Sequence, residues 1–333
     1  MLNPKQKLNE KVFNLDVEQV PIRKGFGIGL LEAAERDARV VGLCADLTES
    51  TQIHLFKDKF PERYVELGVA EQNLAAVASG MAAMGKIPFL TSYAMFSPGR
   101  NWEQIRTTIC YNDQDVKIVG SHAGVSVGPD GGTHQAIEDI AITRVIPRMT
   151  VVVPADSIEA KKATLAIARR RGATYLRLAR EKTPVITTEE SPFEIGRANV
   201  LVDPITPAAV IVACGGLVYN ALLAAKKLLG EEIEVTVINN HTIKPLDEET
   251  ILKYVRRAEA VVTVEEHQRA GGLGGAVAEL LAAKLPVPIE FIGVEDKFGQ
   301  SGAPNELVEH YGLGAESIVD AVKRVIERKR GGK

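Results

Sequence analysis

The sequence predicts an α/β protein of two domains, each a mainly parallel sheet flanked by helices. Short β-rich apolar runs alternate with longer helical stretches, joined by short loops, along the whole chain. The chain has 333 residues, 45% of them hydrophobic, which is enough for two cores. Polar residues also collect just after the apolar runs, where open parallel sheets gather ligands.

In the first half, residues 23–36 read as a helix and 39–43 (RVVGL) as a buried strand. Helix 71–84, strand 87–91 (IPFLT), helix 101–111 and strand 116–119 (VKIV) follow. Strand 150–153 (TVVV), helix 157–171 and strand 174–178 (TYLRL) close this half. Residues 181–204 carry Pro184, Pro192 and Pro204 in a charged stretch and read as a linker or hairpin, with a domain cut near 190. Beyond it, 208–213 (AAVIVA), 235–238 and 260–264 read as strands. Residues 217–229, 247–256, 274–283 and 318–328 read as helices, and the final ERKRGGK as a solvated tail.

Net charge is −3, so no basic face is implied and nucleic acid is not an expected partner. Cys44, Cys110 and Cys214 are far apart, as expected of reduced core thiols. The opening MLNPKQKLNEKVFNLD lacks a signal peptide's apolar core, and no apolar run reaches membrane-spanning length. A soluble, cytoplasmic protein with no membrane partner is expected.

The stretch GVAEQN (68–73) places Glu71 at the head of a run of small residues. An acidic residue there suits a helix start, where it complements the helix dipole. After the strands come ADLTES (45–50), SYAMFSPGRNW (92–102), SHAGVSVGPDGGTHQ (121–135) and AREKTP (179–184). Loop 121–135 is glycine-rich, so its backbone can approach a ligand closely. His122 and His134 flank Asp130 in it, and histidine exchanges protons near neutral pH. No third ligand has convincing metal spacing. The Rossmann G-x-G-x-x-G and the P-loop are both missing. GGLGG (271–275) is a weak candidate for phosphate binding.

These motifs, in this order, resemble the C-terminal section of transketolase, a thiamine-diphosphate enzyme. The similarity runs from about residue 20 to 330. It is carried by ADLT (45–48), GVAEQN, GVSVGPDGGTHQ (124–135), PAD (154–156), Arg180 and EEHQRAGGLGG (265–275). It implies a pyrimidine-binding domain over residues 18–185 and a transketolase C-terminal domain over 200–330. A full-length transketolase also carries a diphosphate-binding domain whose GDG and following Asn hold Mg²⁺. This sequence contains no GDG. The resemblance is therefore to the small subunit of a split transketolase, inactive without an N-terminal, diphosphate-binding partner subunit that supplies the Mg²⁺ ligands. An α2β2 assembly is expected.

The resemblance also implies roles. Glu71 touches N1′ of the cofactor's aminopyrimidine, and Tyr93 stacks on that ring where most of the family has Phe. Phe96 lines the same pocket, and Asp46 lies near the cofactor and the subunit junction. Arg23, Ser50, His122 and Arg180 fall at the phosphate-binding positions for sugar phosphates. Asp130 bonds the acceptor's hydroxyl, and His134 contacts the reacting end and moves protons. The implied reaction is two-carbon ketol transfer in pentose phosphate metabolism. A 1-deoxyxylulose-5-phosphate synthase, the β subunit of a 2-oxoacid dehydrogenase and a non-catalytic regulatory paralogue are the competing expectations. The set of Arg23, ADLT and His122 favours transketolase over the first, DGGTHQ with Arg23 and Arg180 over the second, and an intact Glu71, Asp130 and His134 over the third.

Overall fold

The computed structural model describes residues 2–331. Strand β1 (Gln19–Pro21) leads into α1 (Ile22–Arg36), β2 (Val40–Cys44), α2 (His54–Lys59), β3 (Tyr64–Glu66), α3 (Glu71–Ala83) and β4 (Ile87–Tyr93). A single turn, α4 (Trp102–Gln104), runs into a π-helical stretch, Ile105–Tyr111. Then come β5 (Lys117–Ser121), α5 (Asp139–Arg144), β6 (Thr150–Val152), α6 (Ser157–Arg169), β7 (Thr174–Arg177) and β8 (Lys182–Pro184). The second half holds β9 (Asn199–Val202), β10 (Ala209–Ala213), α7 (Leu217–Gly230), β11 (Val235–Asn239), β12 (Thr242–Lys244) and α8 (Glu248–Ala258). It ends with β13 (Val261–Gln268), α9 (Leu273–Lys284), β14 (Ile289–Val294), α10 (Pro304–His310) and α11 (Ala315–Gly331).

The expected α/β architecture is present. The larger sheet runs β12-β6-β7-β5-β4-β2-β3. Its first-half strands are all parallel, while β12 crosses from the second half to lie antiparallel on β6. The smaller sheet runs β14-β13-β10-β11-β9, parallel apart from β9. Strands β2, β5, β7, β10 and β11 are buried at every position, as apolar runs covered on both faces should be. Helices α1 and α6 cover one face of the larger sheet together with Phe26, Leu30, Phe89 and Ile167. They cross closely because α1 offers glycine: a Cβ at Gly25 would run into the Ser157 carbonyl.

Three segments differ from the sequence reading. Residues 101–111 are not one α-helix. The Thr107 and Thr108 hydroxyls take the carbonyls of Glu103 and Gln104, and the backbone winds wider into the π-helical stretch. Residues 181–204 are no free linker. Strand β8 pairs with β1, β9 joins the smaller sheet, and the buried Asp156 carboxylate accepts from the Ile186 and Thr187 amides. The expected tail is helical through Gly331, because α11 buries Ile318, Val322 and Val325; the last two residues lie outside the described ones. The three cysteines are buried and free.

Candidate active site

Glu71 is the first residue of α3, yet its side chain turns inward and is only 1% exposed. The buried face of α3 is small here, with Ala75 and Ala78, so the helix sits close to β4. Ser92, near the end of β4, donates its hydroxyl to Glu71 Oε1 at 3.2 Å. The other oxygen, Oε2, is buried without a hydrogen-bond partner. The nearest cation is Arg100, whose Nε lies 4.0 Å away on a largely exposed side chain. Asn101 locks the backbone by donating to the Glu71 carbonyl at 3.0 Å. A buried carboxylate oxygen with an empty acceptor position is costly unless a ligand supplies a donor.

Beside it, the carboxyl ends of β4, β5 and β7 deliver a second group. Tyr93 ends β4, His122 follows β5 and Arg180 follows β7. The Tyr93 and His122 rings stack at 3.8 Å between centroids, and Tyr93 lies 6.4 Å from Phe96. His134 meets Phe96 edge-on at 5.4 Å. Arg23, in the first turn of α1, donates to the Ser50 carbonyl at 2.6 Å and approaches His122 Nε2 at 3.2 Å. Guanidinium has no acceptor, so Nε2 accepts and the ring proton sits on Nδ1, facing the Ser121 hydroxyl at 2.9 Å. Arg180 donates to the Val127 carbonyl at 2.6 Å and lies 3.5 Å from Asp130.

The electrostatics favour an anion. Burial, then Arg23, Arg180 and His134, push His122 down to about 3, so it is neutral at physiological pH. Arg23 is likewise lowered, by burial first and then by Arg180. Its Nε is buried without a partner. Two neighbouring guanidiniums, one with an unused donor, suit a phosphate or carboxylate.

The fold thus brings Arg23, Tyr93, Phe96, His122 and His134 into one contact network, with the Arg180–Asp130 pair close enough to act on it electrostatically and Glu71 reached through Ser92. Ser50 enters through its carbonyl alone. Asp46 stands apart, in a left-handed turn (φ 58°) with its side chain exposed. Its amide donates to Glu66 at 2.8 Å, and Glu66 also accepts from the Gly68 amide at 2.9 Å, tying the ADLT turn to the GVAEQN turn. The weak phosphate reading of GGLGG is corrected. Glu265 already accepts from the Leu273 and Gly274 amides, each at 2.7 Å, so this helix start holds an internal carboxylate. Sequence reasoning missed Ser92, Arg100, Asn101 and Glu66; the first three lie in or at the edge of the strand-end stretch already singled out. Among the described residues no group of three or more His, Cys, Asp or Glu side chains could hold a metal ion.

Comparison with known proteins identifies the family. The family profile "Transketolase, pyrimidine binding domain" matches residues 18–185, and "Transketolase, C-terminal domain" matches 196–318. A Methanocaldococcus jannaschii protein, provisionally named a transketolase C-terminal section, is 44% identical over 93% of this chain and 96% of its own length. The "6-deoxy-6-sulfo-D-fructose transketolase subunit SqwH" of a Clostridium species is 41% identical over 95% of this chain and 98% of its own. A solved structure titled "Split gene transketolase, inactive beta4 tetramer" superposes with a TM-score of 0.87 at 41% identity, covering 93% of this chain and 99% of that one. With both profiles matched in order and relatives aligned nearly end to end, the chain belongs to the transketolase family, as a subunit of the split type.

Proposed function

We propose that this chain is the C-terminal subunit of a cytoplasmic split transketolase. With an N-terminal, diphosphate-binding partner, it transfers a two-carbon ketol unit from a ketose phosphate to an aldose phosphate. The observation that carries this reading is the unpartnered, buried Oε2 of Glu71. It fits a ring nitrogen that shares a proton with a carboxylate, as N1′ of thiamine diphosphate would. When bound, that cofactor supplies the carbanion chemistry that cleaves the bond beside the ketose carbonyl.

This chain's residues bind, orient and move protons. With thiamine diphosphate bound, Glu71 would hold the proton shared with N1′ through its unpartnered oxygen. Tyr93 and Phe96 give the pyrimidine an apolar, aromatic wall. Asp46 would lie near the cofactor only at the subunit junction, where its exposed turn is open to a second chain. Arg23 and Arg180, with His122 and Ser50, hold the sugar's terminal phosphate. Asp130 and His134 meet the acceptor's hydroxyl and reacting oxygen, where His134 gives or takes a proton. The Mg²⁺ ligands are assigned to the partner chain, in an α2β2 assembly. The names of the relatives, a C-terminal section and a transketolase subunit, support a partner.

Reconstitution tests this reading. The chain is titrated against candidate large subunits with thiamine diphosphate and Mg²⁺, and transfer from xylulose 5-phosphate to ribose 5-phosphate is followed. Activity should be absent with either chain alone and saturate near equimolar mixing. Activity from this chain alone would overturn the split assignment. Running 6-deoxy-6-sulfofructose as a second donor separates a phosphate-specific pocket from one that takes any terminal anion.

A further inference from the structure

Loop 121–135 carries Asp130 and His134, and near its apex its own bonds are short-range: the Gly131 amide donates to the Gly128 carbonyl at 3.2 Å and the His134 amide to the Gly131 carbonyl at 3.0 Å. Gly124, Gly128 and Gly131 all take positive φ, at 90°, 81° and 77°. Side chains from outside its apex do the fixing. At its base, the Gly124 amide donates to the Ala136 carbonyl at 2.8 Å. Above the base, three consecutive residues are each pinned by a different side chain. Gln135 donates to the Val125 carbonyl at 2.8 Å and to the Gln300 carbonyl at 3.0 Å. The Ser126 amide donates to Glu266 Oε1 at 2.5 Å. Arg180 donates to the Val127 carbonyl at 2.6 Å.

Two of these pins reach into the second half of the chain, and the Glu266 pin is the firmer. Glu266 lies on β13, is 8% exposed, and packs flat against Gly124, where any Cβ would strike its carboxyl. Its own carbonyl accepts from Arg177 at 2.8 Å. Arg177 in turn pairs with the buried Asp139 at 2.7 Å. The carboxylate therefore sits on a rigid platform and presents one oxygen to one loop amide, a charge-assisted bond of the stronger kind.

We propose that Glu266 is a positioning residue: through the Ser126 amide it sets the loop that carries Asp130 and His134, and so couples the C-terminal domain to acceptor recognition. This rests on the acceptor-binding reading of Asp130 and His134 given above. The bond is outside the cofactor contacts, so its loss should act on sugar KM and leave cofactor affinity alone.

The test compares wild type, Glu266→Leu and Glu266→Gln as full-length chains in the reconstituted enzyme, with hydrogen exchange over residues 124–131 of the unmixed chain as a second measurement. Glu266→Leu should speed exchange there at least tenfold and raise acceptor KM about tenfold or more. The dissociation constant for thiamine diphosphate should stay within twofold. Glu266→Gln keeps an acceptor oxygen and should recover most of both effects. Should Glu266→Leu fail to fold, Ser126→Pro removes the same bond from the loop side, in the first turn of a 3₁₀ stretch, and should raise acceptor KM alike. Unchanged exchange and KM, or lower stability with unchanged KM, would overturn the proposal. If no sugar is turned over at all, the functional reading fails, while the exchange measurement still decides whether Glu266 sets the loop.

Discussion

At Glu71 a helix start and a buried carboxylate with one unpartnered oxygen coincide. The residue satisfies the preference for acid in a first helical turn, and the same position turns its side chain inward, where it is 1% exposed. The sequence showed the residue and its small neighbours; it did not show Ser92, which fixes one oxygen and leaves the other open. Arg23, Arg180 and His122 form the second residue-scale unit. Arg23→Gln or Arg180→Gln should raise KM for phosphorylated sugars about tenfold to hundredfold with cofactor affinity unchanged, read from steady-state kinetics and a cofactor titration. His122 makes a pH prediction. The unfolded chain takes a proton there as pH falls through 6.5, while the folded chain refuses it until about 3. This site's contribution to stability therefore rises with pH across that window, by up to about 1.4 kcal/mol per pH unit. Urea denaturation at pH 5 and pH 8 checks it: His122→Asn should narrow the stability difference between the two. An equal difference in both proteins would contradict the assignment.

At the scale of elements, the central strands were legible because continuous burial writes itself as an unbroken apolar run, as in AVIVA of β10. Some of the short ones were not, although three-residue β6 was visible as TVVV. Strands β3 and β12 have three residues each, and β12 finds its partner β6 some ninety residues earlier in the chain, which no local pattern encodes. The π-helical stretch was hidden for a related reason: its apolar spacing reads as an α-helix, and nothing in the local pattern distinguishes the wider winding. Packing between elements yields a paired prediction. Gly25→Ala pushes a methyl into the Ser157 carbonyl where α1 meets α6 and should cost about 1–3 kcal/mol. At Gly80 in α3 a Cβ meets nothing within 4 Å, so Gly80→Ala should stabilise the isolated chain by about 0.5–1 kcal/mol. Thermal denaturation of the two variants should shift in opposite directions.

Across the whole molecule, the two halves share structure. Strand β12 extends the first sheet, Lys244 donates to the Arg144 and Ile146 carbonyls, and Arg177 links Asp139 to the Glu266 carbonyl. None of this was legible, because such contacts depend on residues far apart in sequence. It explains why the EEHQRAGGLGG motif matters: Glu265 caps α9, and Glu266 reaches the site loop. Asp139→Asn would leave Arg177 buried beside a neutral partner and should cost about 3–5 kcal/mol, seen in denaturation of the full chain. The central claim is that Glu71 completes a cofactor site shared with a partner chain. The most direct measurement is ketol transfer by the reconstituted two-chain enzyme, wild type against Glu71→Ala, with co-purification of the chains confirmed for both. Loss of at least a hundredfold in kcat with assembly intact is the predicted result. Transfer undiminished in Glu71→Ala would contradict it.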